Sequence, residues 1–540
     1  MLRTAAAGLA FIHEEGNWYY ERELQWLYAI ETESSGTWYY SPGYGWLWNH
    51  VDYGDWIFSW AFGDGAFSLK RELVEGLASE ISQWGITWTF DRKYPYGRFA
   101  NGDYWVQGPL TVTRITPEFT GKHHGWNVNP RVNQNAYDVR LLPYGTFNAN
   151  LVPALPYRAY PGQSILKSIS RGSEPFPDEP CHVQYTCLNT AAVLTVVGEP
   201  PPGHGADVFR PPYIGTDKPY YDVADVRTEL LASLEPTARA PELATLERWF
   251  ERVWLHHRSG WMVRTWHPEE NLPDYHAGMA RRTAKGALAL HLDYGDQDKT
   301  QAIIKYLQVG IDIFHMFENG RVWNANSGAS QGAVTPMVYA AVLLDDERMK
   351  QTIANADHEA VFGEGGYIYH SEAAGRALFG VPCNERTYWE NQVHRPLPHG
   401  RRTCRDPYGY IDGGETPGEV YQNCCFSQPF RGAALAMRFV GGEEVFTYEP
   451  FFEYADRWME HGAWTQPDPC APAQRGRGVP SMDDYGVTFG PDGAGGCIED
   501  EEGLGRYPDL HGHNRASGGW DHPFLGEMWQ AHRASLGGDG

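Results

Sequence analysis

Trp18-Tyr19-Tyr20 with Trp26-Leu27-Tyr28, Trp38-Tyr39-Tyr40 with Trp46-Leu47-Trp48, and Trp56-Ile57-Phe58 with Trp60-Ala61-Phe62 are three aromatic pairs laid along residues 16–62. The first two copies are offset by 20 residues (18 to 38, 26 to 46), and the third is shortened. Aromatic triplets have high strand propensity, and Ser41-Pro42-Gly43 and Gly54 supply turns, so each pair reads as a β-hairpin of an internal repeat. A ribbon so thin cannot bury every ring. Exposed rings suit stacking on the C–H faces of sugars; the plainer alternative is that they pack on one another or on the next domain as a wrap.

Beyond the repeat, Leu69, Leu73, Leu77 and Ile81 recur every four residues, which predicts a helix or helix-containing linker over 66–84. From Thr87 to Val197 the pattern changes to short and alternating apolar runs such as Leu110-Thr111-Val112 and Ala192-Val193-Leu194-Thr195-Val196-Val197, broken by Asn, Gly and Pro. That predicts an antiparallel, sandwich-like β domain. Glu199-Pro200-Pro201-Pro202-Gly203 and Arg210-Pro211-Pro212 read as a rigid linker. Further on the period is helical, with stripes at Leu243 to Trp254, Met279 to Leu290, Ile303 to Phe314, Val338 to Leu344, Met349 to Ala360, Phe430 to Val440 and Phe451 to Met459. Helices joined by long polar loops predict an (α/α) toroid rather than a bundle, which prefers short connections. The expected fold class is therefore α+β and multidomain: an aromatic hairpin repeat (1–66), a β-rich domain with its linker (67–220), a toroid (221–463) and a Gly/Pro/Asp-rich extension (464–540).

A net charge of −24 argues against wrapping nucleic acid, which needs a basic face. No run of about 18 uninterrupted apolar residues predicts a membrane span. The apolar stretch in Met1–Ile12 is too short and poorly flanked for a clear signal peptide. Composition rich in Trp, Tyr and Arg nonetheless suggests a secreted or periplasmic protein. The 8 cysteines include no Cys-x-x-Cys pair, so a tetrahedral zinc site is not expected.

Chemistry concentrates between Cys383 and Cys425, where Tyr388, Asn391, His394, Arg395, His399, Arg401, Arg402, Arg405 and Tyr408 lie together in an otherwise acidic chain. Arg forks on such a loop suit carboxylates, and the accompanying Tyr, Asn and His exceed what solubility requires. The bland alternative is a loop held by ion pairs to its own Asp and Glu. Asp274 and Tyr275 precede one helical stripe, where Asp274 alternatively caps the helix. Trp323, Asn324 and Asn326 follow another, where amides beside a ring suit sugar hydroxyls, or simply build a turn. Loops on one rim of a toroid converge, so these stretches are expected to line one cleft. Asn101-Gly102 reads as a hairpin turn. Acidic runs at Asp483-Asp484 and Glu499 to Glu502 offer carboxylates for calcium but lack EF-hand spacing, so no cofactor is expected. No Gly-x-Ser-x-Gly, phosphate loop or His-Glu-x-x-His occurs.

The Trp-Tyr-Tyr repeat resembles aromatic cell-wall and glucan-binding repeats. The β domain beside a helical toroid with a basic, aromatic loop resembles polysaccharide lyases of the toroid kind. That resemblance implies β-elimination on a uronate-containing polysaccharide: Asn391 and Arg395 would neutralise the uronate carboxylate, His394 would take the proton, and Tyr388 or Tyr408 would serve as base or acid. Arg402 would hold the anionic chain, and Trp323, Asn324, Asn326, Asp274 and Tyr275 would contact sugars. Two alternatives stay open. A glycoside hydrolase would use paired carboxylates such as Asp274 with Glu385 or Asp412, and a non-catalytic surface protein would bind glycans through the repeat. The particular polysaccharide, endo or exo action and oligomeric state are left open by the sequence.

Overall fold

A computed structural model describes residues 77–172, 186–270, 277–323, 331–372, 375–380, 425–462, 494 and 522–536, together with the backbone of six strands nearer the N-terminus. Those six, β1 (Trp18–Glu21), β2 (Gln25–Glu33), β3 (Gly36–Ser41), β4 (Gly45–His50), β5 (Trp56–Ser59) and β6 (Phe67–Lys70), form one antiparallel meander. The aromatic triplets sit opposite one another in register: Tyr20 faces Trp26, Trp38 faces Trp48, and Tyr40 faces Trp46. The third hairpin differs from expectation. β5 pairs with β6, so Trp56 faces Lys70 and Phe58 faces Ser68; Trp60 to Phe62 lies outside the described residues.

The helix expected over 66–84 is also corrected, because Leu69 lies in β6 and Leu77 and Ile81 in β7 (Leu77–Gln83). A spacing of four is an even number. It keeps residues on one face of a strand as readily as on one face of a helix. β7 pairs with the long β8 (Ile86–Arg98), and β8 alternates Ile86, Trp88 and Phe90 inward with Thr87 and Thr89 between them. β9 (Tyr104–Gln107), β10 (Leu110–Thr116), β11 (Trp126–Val128), β12 (Tyr157–Ala159), β13 (Gln163–Ser170) and β14 (Leu188–Val197) complete a curled sheet in the order β11-β13-β14-β9-β8-β10-β12. The sheet is mixed rather than wholly antiparallel, since β14 runs parallel to β9 with Leu194 opposite Tyr104.

β14 shows why its sequence reads as one continuous apolar run. Ala192, Leu194 and Val196 point into the core enclosed by the curl, with Trp88, Val112 and Trp126. Leu188, Ala191 and Val193 point the other way, into the large core shared with the helices. A strand buried on both faces loses polar alternation.

The helices are α1 (Leu243–Phe250), α2 (Ala277–Leu290), α3 (Thr300–Glu318), α4 (Val334–Leu343), α5 (Glu347–Ala354), α6 (His358–Val361), α7 (Gly363–Gly366), α8 (Ser427–Phe439), α9 (Glu449–His461) and α10 (Pro523–His532), and all but α7 and α10 follow the stripes. α3 is buried from Ala302 to Met316 apart from Lys305, and α4 along its whole length, so these two form the interior around which the others pack. They cross closely at Gly310, where a Cβ would stand 2.1 Å from the Pro336 carbonyl oxygen. Besides the short α7, a hairpin and a helix have no counterpart in the sequence reading. β15 (Ile368–Ser371) and β16 (Arg376–Phe379) form a hairpin, and α10, inside the expected extension, inserts Phe524, Leu525, Met528 and Trp529 into the helical core. The chain is thus α+β.

The expected linker is docked. Arg210 is fully buried, donating from Nε to Asp103 at 2.7 Å and gripping Asp312 of α3 with its other nitrogens.

Candidate functional site

The described residues bordering the three loops singled out from sequence meet in one neighbourhood. Gly332, which follows residues 324–330, packs so tightly on the first turn of α2 that a Cβ would stand 2.5 Å from the Ala280 Cα; its φ of +95° is in any case one that favours glycine. That turn directly follows residues 271–276. Gln331 donates its side-chain amide to the Cys425 carbonyl at 2.9 Å, and Cys425 directly follows residues 381–424. On the other border of that stretch, the Gly380 N–H reaches the Tyr367 carbonyl at 2.8 Å. The ring of Tyr367 stacks on Phe379 at 5.8 Å and meets Phe426 at 4.3 Å.

Glu364 lies at the centre of these anchors. Its Oε1 accepts the Gly332 N–H at 2.7 Å, while Oε2 is buried and has no hydrogen-bond partner. Burial pushes its carboxyl up to about 7, against a smaller opposing pull from the backbone donors. A carboxylic acid poised near neutrality can give or take a proton at physiological pH. The sequence offers no cue to this group, a lone glutamate among glycines in Phe362-Gly363-Glu364-Gly365-Gly366. It is buried where α7 meets Gly332.

Of the residues expected to act, only Trp323 lies among the described ones. Its ring is fully buried between His256 (5.7 Å) and Phe362 (6.3 Å), each nearly parallel to it, and its Nε1–H donates to His256 Nε2 at 2.5 Å. It is a packed core ring here, and its backbone N–H donates to the Val361 carbonyl at 2.6 Å, two residues before α7. Asn324, Asn326, Asp274, Tyr275, Tyr388, Asn391, His394, Arg395, Arg402 and Tyr408 lie outside the described residues, as do Glu385, Asp412 and the acidic runs at 483–484 and 499–502.

One group among the described residues has metal-ligand types in reach of one another: Asp217, His315 and Glu318, whose ligand atoms lie within 4.8 Å. Its charge is already answered. Arg348 donates to both oxygens of Glu318 at 2.7 and 2.6 Å and to Asp217 at 3.2 Å, and the Tyr221 hydroxyl meets His315 Nε2 at 3.0 Å. A cation would have to displace a guanidinium that fits both carboxylates. The cluster reads as an ion-pair network tying α3 to α5.

Cys187 and Cys425 are both disulfide-bonded. Among the described residues no helix is long and apolar enough to cross a membrane. No protein-family model, curated protein or solved structure matches the chain.

Proposed function

We propose that this chain is a carbohydrate-active enzyme that cleaves an anionic, uronate-containing polysaccharide by β-elimination, with its reaction site on the rim around Glu364. The observation that carries the reading is the common rooting of three chemistry-bearing stretches: the borders of 271–276, 324–330 and 381–424 share Gly332, Ala280, Gln331 and Cys425. Loops rooted together can line one cleft. The (α/α) toroid, with the two buried helices α3 and α4 inside, and a sandwich-like sheet behind it are the architecture this reading adopts. In it Asn391 and Arg395 neutralise the uronate, which otherwise resists gaining further negative charge when its α-proton leaves. His394 or Tyr388 removes that proton, and Tyr408 or water protonates the departing oxygen. Glu364 then holds Gly332 in position. The disulfide-bonded cysteines support a secreted or periplasmic location, where such bonds persist.

A glycoside hydrolase is the second reading, and Glu364 favours it. A carboxyl raised to about 7 resembles the general acid such enzymes use. One experiment separates the two. The full chain is incubated with uronate-containing and neutral polysaccharides while ultraviolet absorbance of unsaturated ends and new reducing ends are both followed. Absorbance that falls roughly 10²-fold or more in Asn391→Ala and His394→Ala, with Glu364→Gln largely active, is the expected result. Reducing ends without absorbance, abolished by Glu364→Gln and spared by His394→Ala, would replace elimination with hydrolysis.

A further inference from the structure

A cavity of about 420 Å³ opens where the β7–β8 turn and the start of β9 meet the ends of two helices. This volume falls in the range of small-ligand clefts, about 300–1,000 Å³. Gln83 and Trp84 form one wall, Asn101 and Tyr104 another, and Gln301 and Lys305 of α3 a third, with Arg98 and Glu251 also lining it. α3 is 19 residues long, about 28 Å at 1.5 Å per residue. The cavity touches its first turns, and the Glu364 rim lies beyond its other end, so the two sites are separate.

The walls are built rather than incidental. Asp103, 2% exposed, accepts from Gln83 Nε2 at 3.0 Å and Asn101 Nδ2 at 2.9 Å, and is itself anchored by the buried Arg210. Asn101 is 7% exposed. Arg252 lies over the Trp84 ring at 4.3 Å and Arg98 over the Tyr104 ring at 4.5 Å, which fixes both rings. Against this order, two polar atoms of the wall are buried without partners: Gln83 Oε1, an acceptor, and Trp84 Nε1, a donor. Buried polar groups are ordinarily satisfied, so an unmatched donor and acceptor on two adjacent wall residues mark where a small side-chain shift would let a ligand supply both.

We propose that this cavity is an ancillary glycan-binding site, which takes a uronate-bearing sugar unit and holds the polysaccharide while the rim acts on it. Amides and an indole N–H suit sugar hydroxyls, and Arg98 supplies positive charge for a carboxylate on a chain of net charge −24, with Lys305, paired to Glu247 at 2.9 Å, beside it. The choice of ligand rests on the proposed function; the existence of the site does not.

The test titrates oligogalacturonate, oligoalginate and a neutral cello-oligosaccharide into the full chain by calorimetry, alongside Trp84→Phe and Gln301→Trp. Trp84→Phe keeps an aromatic face beneath Arg252 but removes the five-membered ring with its N–H, a donor that has no partner in the unliganded fold. Gln301 is an exposed residue of α3, so a Trp there obstructs the cavity without disturbing the core. The expected result is loss of one binding site, or a Kd raised at least 10-fold, in Gln301→Trp, and a several-fold weaker Kd in Trp84→Phe. Cleavage of short soluble substrate should be unchanged in both. Binding lost in the variants while no cleavage is ever seen supports this site and removes the lyase reading alone. Equal binding by wild type and Gln301→Trp, or no binding of any of the three probes, overturns the proposal whatever the cleavage assay shows.

Discussion

At the scale of single residues, Glu364 sets the sharpest expectation. Its folded-state value of about 7 stands above the 4.5 of an ordinary glutamate, so folding favours the protonated form. The stability this confers is fully present below about pH 4.5 and is lost as pH rises through 7. A shift of that size corresponds to about 3 kcal/mol at pH 8. Gln keeps the acceptor for Gly332 and never ionises. Glu364→Gln should therefore move the urea midpoint upward at pH 8 and leave it nearly unchanged at pH 4. An equal displacement at both pH values would show that packing, not ionisation, distinguishes the two side chains. The sequence could not reveal this group, because burial of a lone carboxyl depends on which loop lies over it. Trp323 teaches the converse. Its neighbours Asn324 and Asn326 gave it the look of a sugar platform, yet His256 and Phe362 enclose its ring. Local composition does not say whether an aromatic faces solvent or core.

At the scale of elements, periodicity carried the helices and most strands, and failed where a spacing fits two periods, as Leu77 and Ile81 do in β7. It also failed for the parallel pairing of β9 with β14, because the partner of a strand buried on both faces is chosen by long-range packing rather than local pattern. The junction of sheet and helices was read as a Pro-rich linker; what it hides is an ion-pair triad. Arg210 joins Asp103, ahead of β9, to Asp312 in α3, and Gln308 of α3 also exchanges two hydrogen bonds with the Arg210 backbone, at 2.9 and 3.0 Å. Removing one partner from a buried pair strands the remaining charge and costs about 3–5 kcal/mol. Arg210→Met should destabilise by that order, as read from amide hydrogen exchange of β9 and α3. Combining it with Asp103→Asn and Asp312→Asn should recover a large part of the loss. Protection that is unchanged in the single variant would mean the sheet and α3 are held by their apolar contacts alone.

At the scale of the whole molecule, response to acid follows from histidines that the fold keeps neutral. His257, His267 and His291 are buried, and burial lowers each from 6.5 to about 3. His291 shows how the neutral ring is used. Its Nδ1 accepts the Ala232 N–H at 2.9 Å, so Nε2 carries the proton and donates to the Tyr339 hydroxyl at 2.8 Å, which in turn donates to the Ala436 carbonyl at 2.8 Å. A second proton would remove the acceptor at Nδ1 and place a charge in the core. For groups of depressed value, stability is present above 6.5 and is lost as pH falls toward the folded-state value, because the unfolded chain binds the protons first. Each such group contributes about 1.4 kcal/mol per pH unit once it is fully protonated in the unfolded chain, so three together give a slope of about 4 kcal/mol per unit. Several effects oppose it: Glu364 gains up to about 3 kcal/mol between pH 7 and 4.5, burial raises the Asp312 and Glu318 carboxyls in the same direction, and protonating carboxylates relieves the repulsion of a net charge of −24. The Glu364 gain is complete near pH 4.5, whereas the histidine penalty keeps growing to about pH 3, so the histidines win. Urea midpoints should fall steadily from pH 6.5 to 4, with unfolding near pH 5 taking up at least about two protons more than at pH 8 once the proton released by Glu364 is set against the three rings. Midpoints that stay level or rise over that range would place these rings in a more polar setting than the packed core around Trp254, Trp266 and Tyr339 provides.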